Sequence, residues 1–382
     1  MKIIKRPTLI SRLMKSLSRS PVTALLGPRQ CGKTTLARAA SSRISRVHFF
    51  DLESERDQAR LSSPQRALEK LRGLVVLDEI QRAPRLMPIL RVLADRRPNP
   101  CRFLILGSAS PELAQKSSET LAGRVEFVEM GGFSLDEIGE RAQDFLWLRG
   151  GFPRSFLAAR ATDSRAWREN FIKTFLQRDF PQMGIRIPSA HLLRFWRMTA
   201  HLHGQFWNGA QIAGSLGVSH PTSRHYLDIL TGAFMIRQLP PWHENAGKRI
   251  VKAPKIYLRD SGILHALLGL WSRDDLEGYP QYGFSWEGFA LEQILSRWGD
   301  SDAYFWATHA GAELDLLLVR GEKRWGFEFK AGEAPTATKS MRVALSDLRL
   351  NRLWVIYPGK ERYPLDQKIE CLGLGDALKL KI

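Results

Sequence analysis

The residues with the most chemical content stand in one run, Gly27-Pro28-Arg29-Gln30-Cys31-Gly32-Lys33-Thr34, with Thr35 directly after it. This run fills the pattern G-x-x-x-x-G-K-[ST], whose backbone N–H groups wrap phosphate oxygens. Gly27 and Gly32 let the chain turn tightly and come close to a phosphate without a Cβ in the way. Lys33 is placed to reach β- and γ-phosphate oxygens, and Thr34 to set its hydroxyl on Mg²⁺. An apolar strand over residues 22–26 feeds the loop and a helix leaves it, so the helix N-terminus adds partial positive charge. The pattern therefore implies a site for ATP and Mg²⁺ over residues 27–35. An ordinary strand-to-helix turn that merely contains glycines has no reason to fill all four fixed positions.

A second set of groups follows apolar runs. Residues 74–77 (Leu-Val-Val-Leu) end in Asp78-Glu79. In a phosphate site Asp78 holds Mg²⁺ through water, and Glu79 orients and deprotonates the attacking water. The alternative is a strand that ends in surface acids. The run at residues 103–106 ends in Gly107-Ser108-Ala109-Ser110. Ser108 and Ser110 either sense a γ-phosphate or serve as turn and N-cap residues before Pro111. Arg124 and Arg178 are candidate arginine fingers, each against the alternative of an ordinary surface or helix-end arginine.

The third set lies near the C-terminus. Glu328 and Lys330 are two apart in a strand, so both point to one face, and Asp315 sits on the preceding strand of the hairpin. Two carboxylates sharing a divalent ion beside a lysine make a metal-dependent phosphodiesterase site, with the metal activating water. The alternative is the polar outer face of a hairpin with a cross-strand ion pair.

The elements that must position these groups are read from periodicity. Strands and helices alternate over residues 20–130, which predicts an α/β domain on a parallel sheet. Within it, residues 8–20 and 61–71 read as amphipathic helices. Residues 133–187 lose the strand signal and read as helices, the second of them over residues 167–180. Residues 189–240 read as a helix-turn-helix with a wing, whose third helix exposes His220, Thr222, Ser223 and Arg224. A winged helix used only as a structural or protein-contact module is the competing reading. The remainder gives αβββαβ. The expected domains are residues 1–132 (P-loop core), 133–188 (helical lid), 189–275 (winged helix) and 276–382 (nuclease-like).

Composition bounds the partners. Lys and Arg number 57 against 39 Asp and Glu, a net charge of +18, with pI near 10.1. So large an excess favours a polyanion, DNA first. Apolar content of 44% is that of a soluble globular chain, and no apolar run approaches the roughly 20 residues of a membrane span. Cys31, Cys101 and Cys371 are scattered without a CxxC pair, which excludes a cysteine zinc framework and fits a reducing compartment. The expectations are the cytoplasm, DNA and a homo-oligomer as partners, and no membrane.

With these residues in hand, the chain resembles the prokaryotic AAA-type ATPases of the AAA_14 class that carry a C-terminal DUF4143 domain. The resemblance rests on GPRQCGKTT, LVVLDEIQ, LILGSAS, LAGRV, GGFP, QRDF, YLRDSGI and WEGF…ELDLLL…FEFKAG, and covers nearly the whole chain. The DUF4143 region is similar to the PD-(D/E)xK, restriction-endonuclease-like nucleases. That likeness implies Glu287 as a helix acid, Asp315 as the strand acid, and Glu328 with Lys330 as the E-x-K pair. Glu287, Asp315 and Glu328 would then be metal ligands. Many relatives of this nuclease fold bind DNA without cutting it. A nucleotide-controlled switch that binds a protein or nucleic acid is therefore the second functional reading beside an ATP-driven enzyme acting on DNA.

Overall fold

A computed structural model describes residues 4–108, 121–182, 185–243 and 251–382. The chain forms two compact units, residues 1–132 with 228–234, and residues 133–227 with 235–382.

The first unit is built on five parallel strands: β1 (Val22–Gly27), β2 (Val47–Asp51), β3 (Gly73–Asp78), β4 (Cys101–Ser108) and β5 (Val125–Glu129). Their spatial order is β2-β3-β4-β1-β5. β1, β3 and β4 are buried along nearly their whole length, which is why they read as continuous apolar runs rather than alternating ones. Helices α1 (Pro7–Arg19) and α2 (Lys33–Ser41) come next to β1 in sequence, and α5 (Leu86–Ala94) follows β3. Val75, Leu77, Phe103 and Ile105 pack with Leu86, Leu90 and Leu93 of α5 in one core. Each such side chain contributes about 1.5–3 kcal/mol by burial. Of the helix expected over residues 61–71 only α4 (Pro64–Glu69) forms, and a separate short helix, α3 (Glu55–Arg60), precedes it. Pro64 is the cause: its ring suits the first turn of a helix and excludes it from an interior.

The second unit holds a six-stranded mixed sheet of order β13-β14-β12-β11-β10-β9. Its strands are β9 (Ala303–Ala307), β10 (Glu313–Arg320), β11 (Lys323–Phe329), β12 (Arg352–Tyr357), β13 (Tyr363–Asp366) and β14 (Ile369–Gly373). β9, β10 and β11 form an antiparallel meander, and β12 and β14 continue it in parallel. The last two strands lie beyond the expected αβββαβ. The helix Tyr282–Trp298 shares one core with the sheet through Trp286, Phe289 and Ile294. Met341 and Ala344 of the helix Lys339–Asp347 belong to another core with Leu314, Leu317 and Val355. A small antiparallel sheet, β6 (Gln205–Phe206), β8 (Lys255–Leu258) and β7 (Ile236–Leu239), accompanies the helices Ser189–His201, Gly209–Leu216 and His220–Gly232.

Residues 133–227 and 235–382 fall together in this second unit. Leu135, Leu146 and Trp147 join the same core as Leu239, Tyr257 and Trp286. Trp147 meets Trp286 edge-on at 5.0 Å, so the expected lid segment is packed into this unit. The helix expected over residues 167–180 is Ala161–Thr174, passing into a π-helical turn at Phe175–Asp179. Ser223 is buried rather than exposed, because its hydroxyl donates to the carbonyls of Gly209 (3.0 Å) and His220 (2.9 Å). Among the described residues no helix is long and apolar enough to cross a membrane.

Candidate active site

The carboxyl ends of β1, β3 and β4 deliver the first set of groups. β1 stops at Gly27, where an added Cβ would lie 2.1 Å from the Met130 carbonyl oxygen, so only glycine fits. The loop then curls through left-handed residues at Gln30 (φ 62°) and Gly32 (φ 99°) before α2 begins at Lys33. The first-turn N–H groups of α2 have no partner within the helix, which makes this end an anion site. Cys31 is buried and Thr35 exposed, while Arg29 lies 3.6 Å from Glu53.

The Lys33 ammonium is buried and donates to the Gly27 carbonyl (3.0 Å), the Pro28 carbonyl (2.9 Å) and Ser108 Oγ (3.3 Å). Ser108 Oγ in turn donates to Glu79 Oε2 at 3.3 Å. Beside this line Thr34 Oγ1 donates to Asp78 Oδ2 at 2.7 Å, and Asp78 Oδ1 accepts the Glu79 N–H at 3.0 Å. Burial raises the Asp78 carboxyl above its usual range; the Thr34 hydroxyl and Glu79 N–H oppose this, and the Glu79 charge adds to it. A raised carboxylate beside a hydroxyl is a donor set that fits Mg²⁺, since a divalent charge would favour the ionised form. Ser108, open between two roles in the sequence, lies between the loop lysine and the strand acid. Ser110, the other sensor candidate, lies outside the described residues.

Of the two candidate arginine fingers, Arg124 lies in the first unit and Arg178 in the second. Arg124 makes a bidentate pair with Asp95, at 2.6 and 2.8 Å. Arg178 lies exposed on the π-helical turn of the second unit.

The second unit gathers the C-terminal candidates, together with three side chains the sequence reading had not assigned to the site. Lys255 on β8 is buried, with Nζ 3.1 Å from Glu287 Oε1 and 3.4 Å from Asp315 Oδ1, and it also pairs with Glu313. Tyr257 Oη donates to Glu287 Oε1 at 2.6 Å. Asp315 Oδ2 accepts the Phe329 N–H at 3.0 Å, and Lys330 Nζ lies 2.9 Å from Glu328 Oε2. Burial, with Asp315 adding to it, pushes Glu287 up to about 7 and Glu328 up to about 8. Burial works against the Lys255 charge, but Glu287, Asp315 and Glu313 hold it well above the ordinary lysine value.

Among the described residues no group of three or more His, Cys, Asp or Glu is arranged to hold a metal ion. Of the acids expected as a metal set, Glu328 pairs with Lys330, while Glu287 and Asp315 share the ammonium of Lys255. The one sequence signal for it was the spacing of Lys255 and Tyr257, which puts both on one face of a short strand.

Three family models match in succession: an AAA domain (AAA_14) at residues 19–139, a domain of unknown function (DUF8612) at 140–274, and a domain of unknown function (DUF4143) at 282–376. Two mycobacterial proteins, Rv2008c of Mycobacterium tuberculosis and Mb2031c of Mycobacterium bovis, both described as uncharacterized, are each 50% identical over 367 residues. The match covers 96% of this chain and 83% of each of theirs. Among solved structures, the Walker-type ATPase PABY2304 of Pyrococcus abyssi is similar in fold, with a TM-score of 0.50 at 17% identity over 70% of this chain and 96% of that one. The chain belongs to the family of these mycobacterial proteins, with a P-loop ATPase core of the AAA type followed by a DUF4143 domain.

Proposed function

We propose that this protein binds ATP with Mg²⁺ and hydrolyses it, and that its basic surface engages DNA. The observation that carries the ATPase reading is the hydrogen-bonded line from Lys33 through Ser108 to Glu79, set beside the Thr34–Asp78 pair. Lys33 would exchange its two carbonyl partners for phosphate oxygens, at little cost because a charged acceptor replaces neutral ones. Thr34 and Asp78 would hold Mg²⁺, which neutralises phosphate charge when bound. Glu79 would take a proton from the attacking water. The +18 charge, with His220 and Arg224 exposed at the start of the helix His220–Gly232, supports DNA as the partner of a winged-helix module. ATP turnover with Mg²⁺ against EDTA, with and without duplex DNA, tests both statements. DNA binding is expected to weaken steeply with salt as counterions are released, and salt-independent binding would contradict it.

A specific observation favours binding over cutting at the C-terminal cluster. Lys255 neutralises Glu287 and Asp315 from within, so these carboxylates are poor ligands for a second cation. The DUF4143 unit then acts as a nuclease-like scaffold without phosphodiesterase activity at Asp315, Glu328 and Lys330. Incubation of DNA and RNA with the protein in Mg²⁺ or Mn²⁺ should leave both intact. Cleavage that is lost in Asp315→Ala would overturn this.

A further inference from the structure

Directly after Glu79 the chain enters a 3-10 turn, Ile80–Arg82. Glu79 itself is left-handed (φ 55°, ψ 48°), a conformation unfavourable for a residue with a Cβ and held here by its surroundings. Ile80 anchors the turn in the core, the Arg82 N–H closes it on the Glu79 carbonyl at 2.9 Å, and Arg82 pairs with Glu53 on the outside. This reversal carries the Gln81 side chain back to Glu79, where Gln81 Nε2 donates to Glu79 Oε2. A carboxylate only accepts, so the nitrogen end of the amide must face Glu79 and the oxygen end must face away. That oxygen, Gln81 Oε1, is buried and has no hydrogen-bond partner among the described residues. Buried amide oxygens are seldom left so, and an orphan of this kind beside a catalytic acid points to a ligand.

We infer that Gln81 is a second holder of the attacking water: Nε2 fixes the Glu79 carboxylate, and Oε1 accepts one hydrogen of the water whose other hydrogen goes to Glu79. Ser108 and Gln81 both donate to Glu79 Oε2, which leaves Oε1 of Glu79 to face the water. Held by two acceptors, the water turns its oxygen lone pair away from both. In the step, one O–H bond breaks and its proton goes to Glu79, while the oxygen's electron pair forms the bond to the γ-phosphorus. The bond from that phosphorus to the β–γ bridging oxygen breaks, its electron pair leaving on ADP, and Glu79 later returns its proton to solvent. The second hydrogen stays bonded to the attacking oxygen, with Gln81 Oε1 accepting its hydrogen bond. The inference rests on the ATPase reading, with DNA and the C-terminal unit playing no part in it.

The test compares full-length wild-type protein with Gln81→Ala and Gln81→Glu in steady-state ATP hydrolysis, alongside binding of MgADP and of a non-hydrolysable ATP analogue. Gln81→Ala is expected to lower kcat about tenfold to a hundredfold, the scale of a misplaced reactant, with nucleotide affinity changed less than about twofold. Gln81→Glu keeps an oxygen for the water but loses the Nε2 donor to Glu79, so kcat is expected to fall as in Gln81→Ala. A merely structural glutamine would lower the melting temperature and leave kcat of the folded, nucleotide-bound protein in place. Unchanged kcat in Gln81→Ala or in Gln81→Glu, beside an active wild type, would overturn the inference. An inactive wild type would instead bring down the ATPase reading on which it stands.

Discussion

The Thr34 hydroxyl donates to the Asp78 carboxylate across 2.7 Å, joining the first turn of α2 to the end of β3. Two residues 44 apart in sequence thus share one point in space. If that point is where Mg²⁺ is held, Asp78→Asn should make nucleotide binding insensitive to Mg²⁺. Titrating an ATP analogue with and without EDTA checks this, and an undiminished Mg²⁺ effect in the variant would place the ion elsewhere.

Ser108 is the hinge between Lys33 and Glu79. Ser108→Ala removes an acceptor for Lys33 and a donor to Glu79, so kcat should fall about tenfold or more while nucleotide affinity holds, as for loss of an orienting hydrogen bond. Equal losses in affinity and turnover, measured by titration and steady-state kinetics, would mean that Ser108 serves the loop alone.

The Lys255 cluster gives a stability prediction. Lys255→Met leaves Glu287 and Asp315 without their internal cation, and removal of one partner from a buried ion pair costs about 3–5 kcal/mol. Urea unfolding should show that loss, and the double variant Lys255→Met with Glu287→Gln should recover part of it. A Lys255→Met protein as stable as the wild type would mean that water already screens these charges.

The same cluster sets a pH dependence. Glu287 and Glu328 are pushed up to about 7 and about 8 by burial, with Asp315 adding to it, whereas an unfolded glutamate titrates near 4.3. Between those limits these two groups bind more protons in the folded state than in the unfolded, so the stability they contribute falls as pH rises from about 4.3 to about 8. Buried His203 and His265, lowered to about 3 and about 4, contribute the opposite slope below about pH 6.5. The raised pKa values of Lys255 and Lys330 act only at higher pH and do not reverse the slope. Relative to wild type, Glu328→Gln should therefore shift the slope of unfolding midpoint against pH in the positive direction between about pH 5 and about pH 8. Parallel slopes for the two proteins would contradict the burial account.

What the sequence disclosed follows from how far each signal is local. β1, β3 and β4 were legible because strands buried on both faces must be apolar throughout, and the phosphate loop because its residues are contiguous. The hairpin of β10 and β11 was legible from alternation and a Gly321 turn. Lys255 was not, since it reaches Glu287 and Asp315 from 32 and 60 residues away, and nothing in a four-residue strand says that its lysine turns inward. Ser223 read as exposed because the periodicity of a single helix does not reveal the Gly209 carbonyl on a neighbouring one. Gln81 gave no signal at all; the left-handed Glu79 that aims it is a backbone property.

The most direct test of the account is hydrolysis by Glu79→Gln. The substitution keeps the shape of the side chain and removes its ability to take a proton. Turnover of MgATP should drop by about 10² to 10⁴, as for loss of a general base, while the affinity for MgATP stays within about twofold of wild type. Turnover equal to wild type would show that another group activates the water, and the reading of Lys33, Ser108 and Glu79 as one catalytic line would fail.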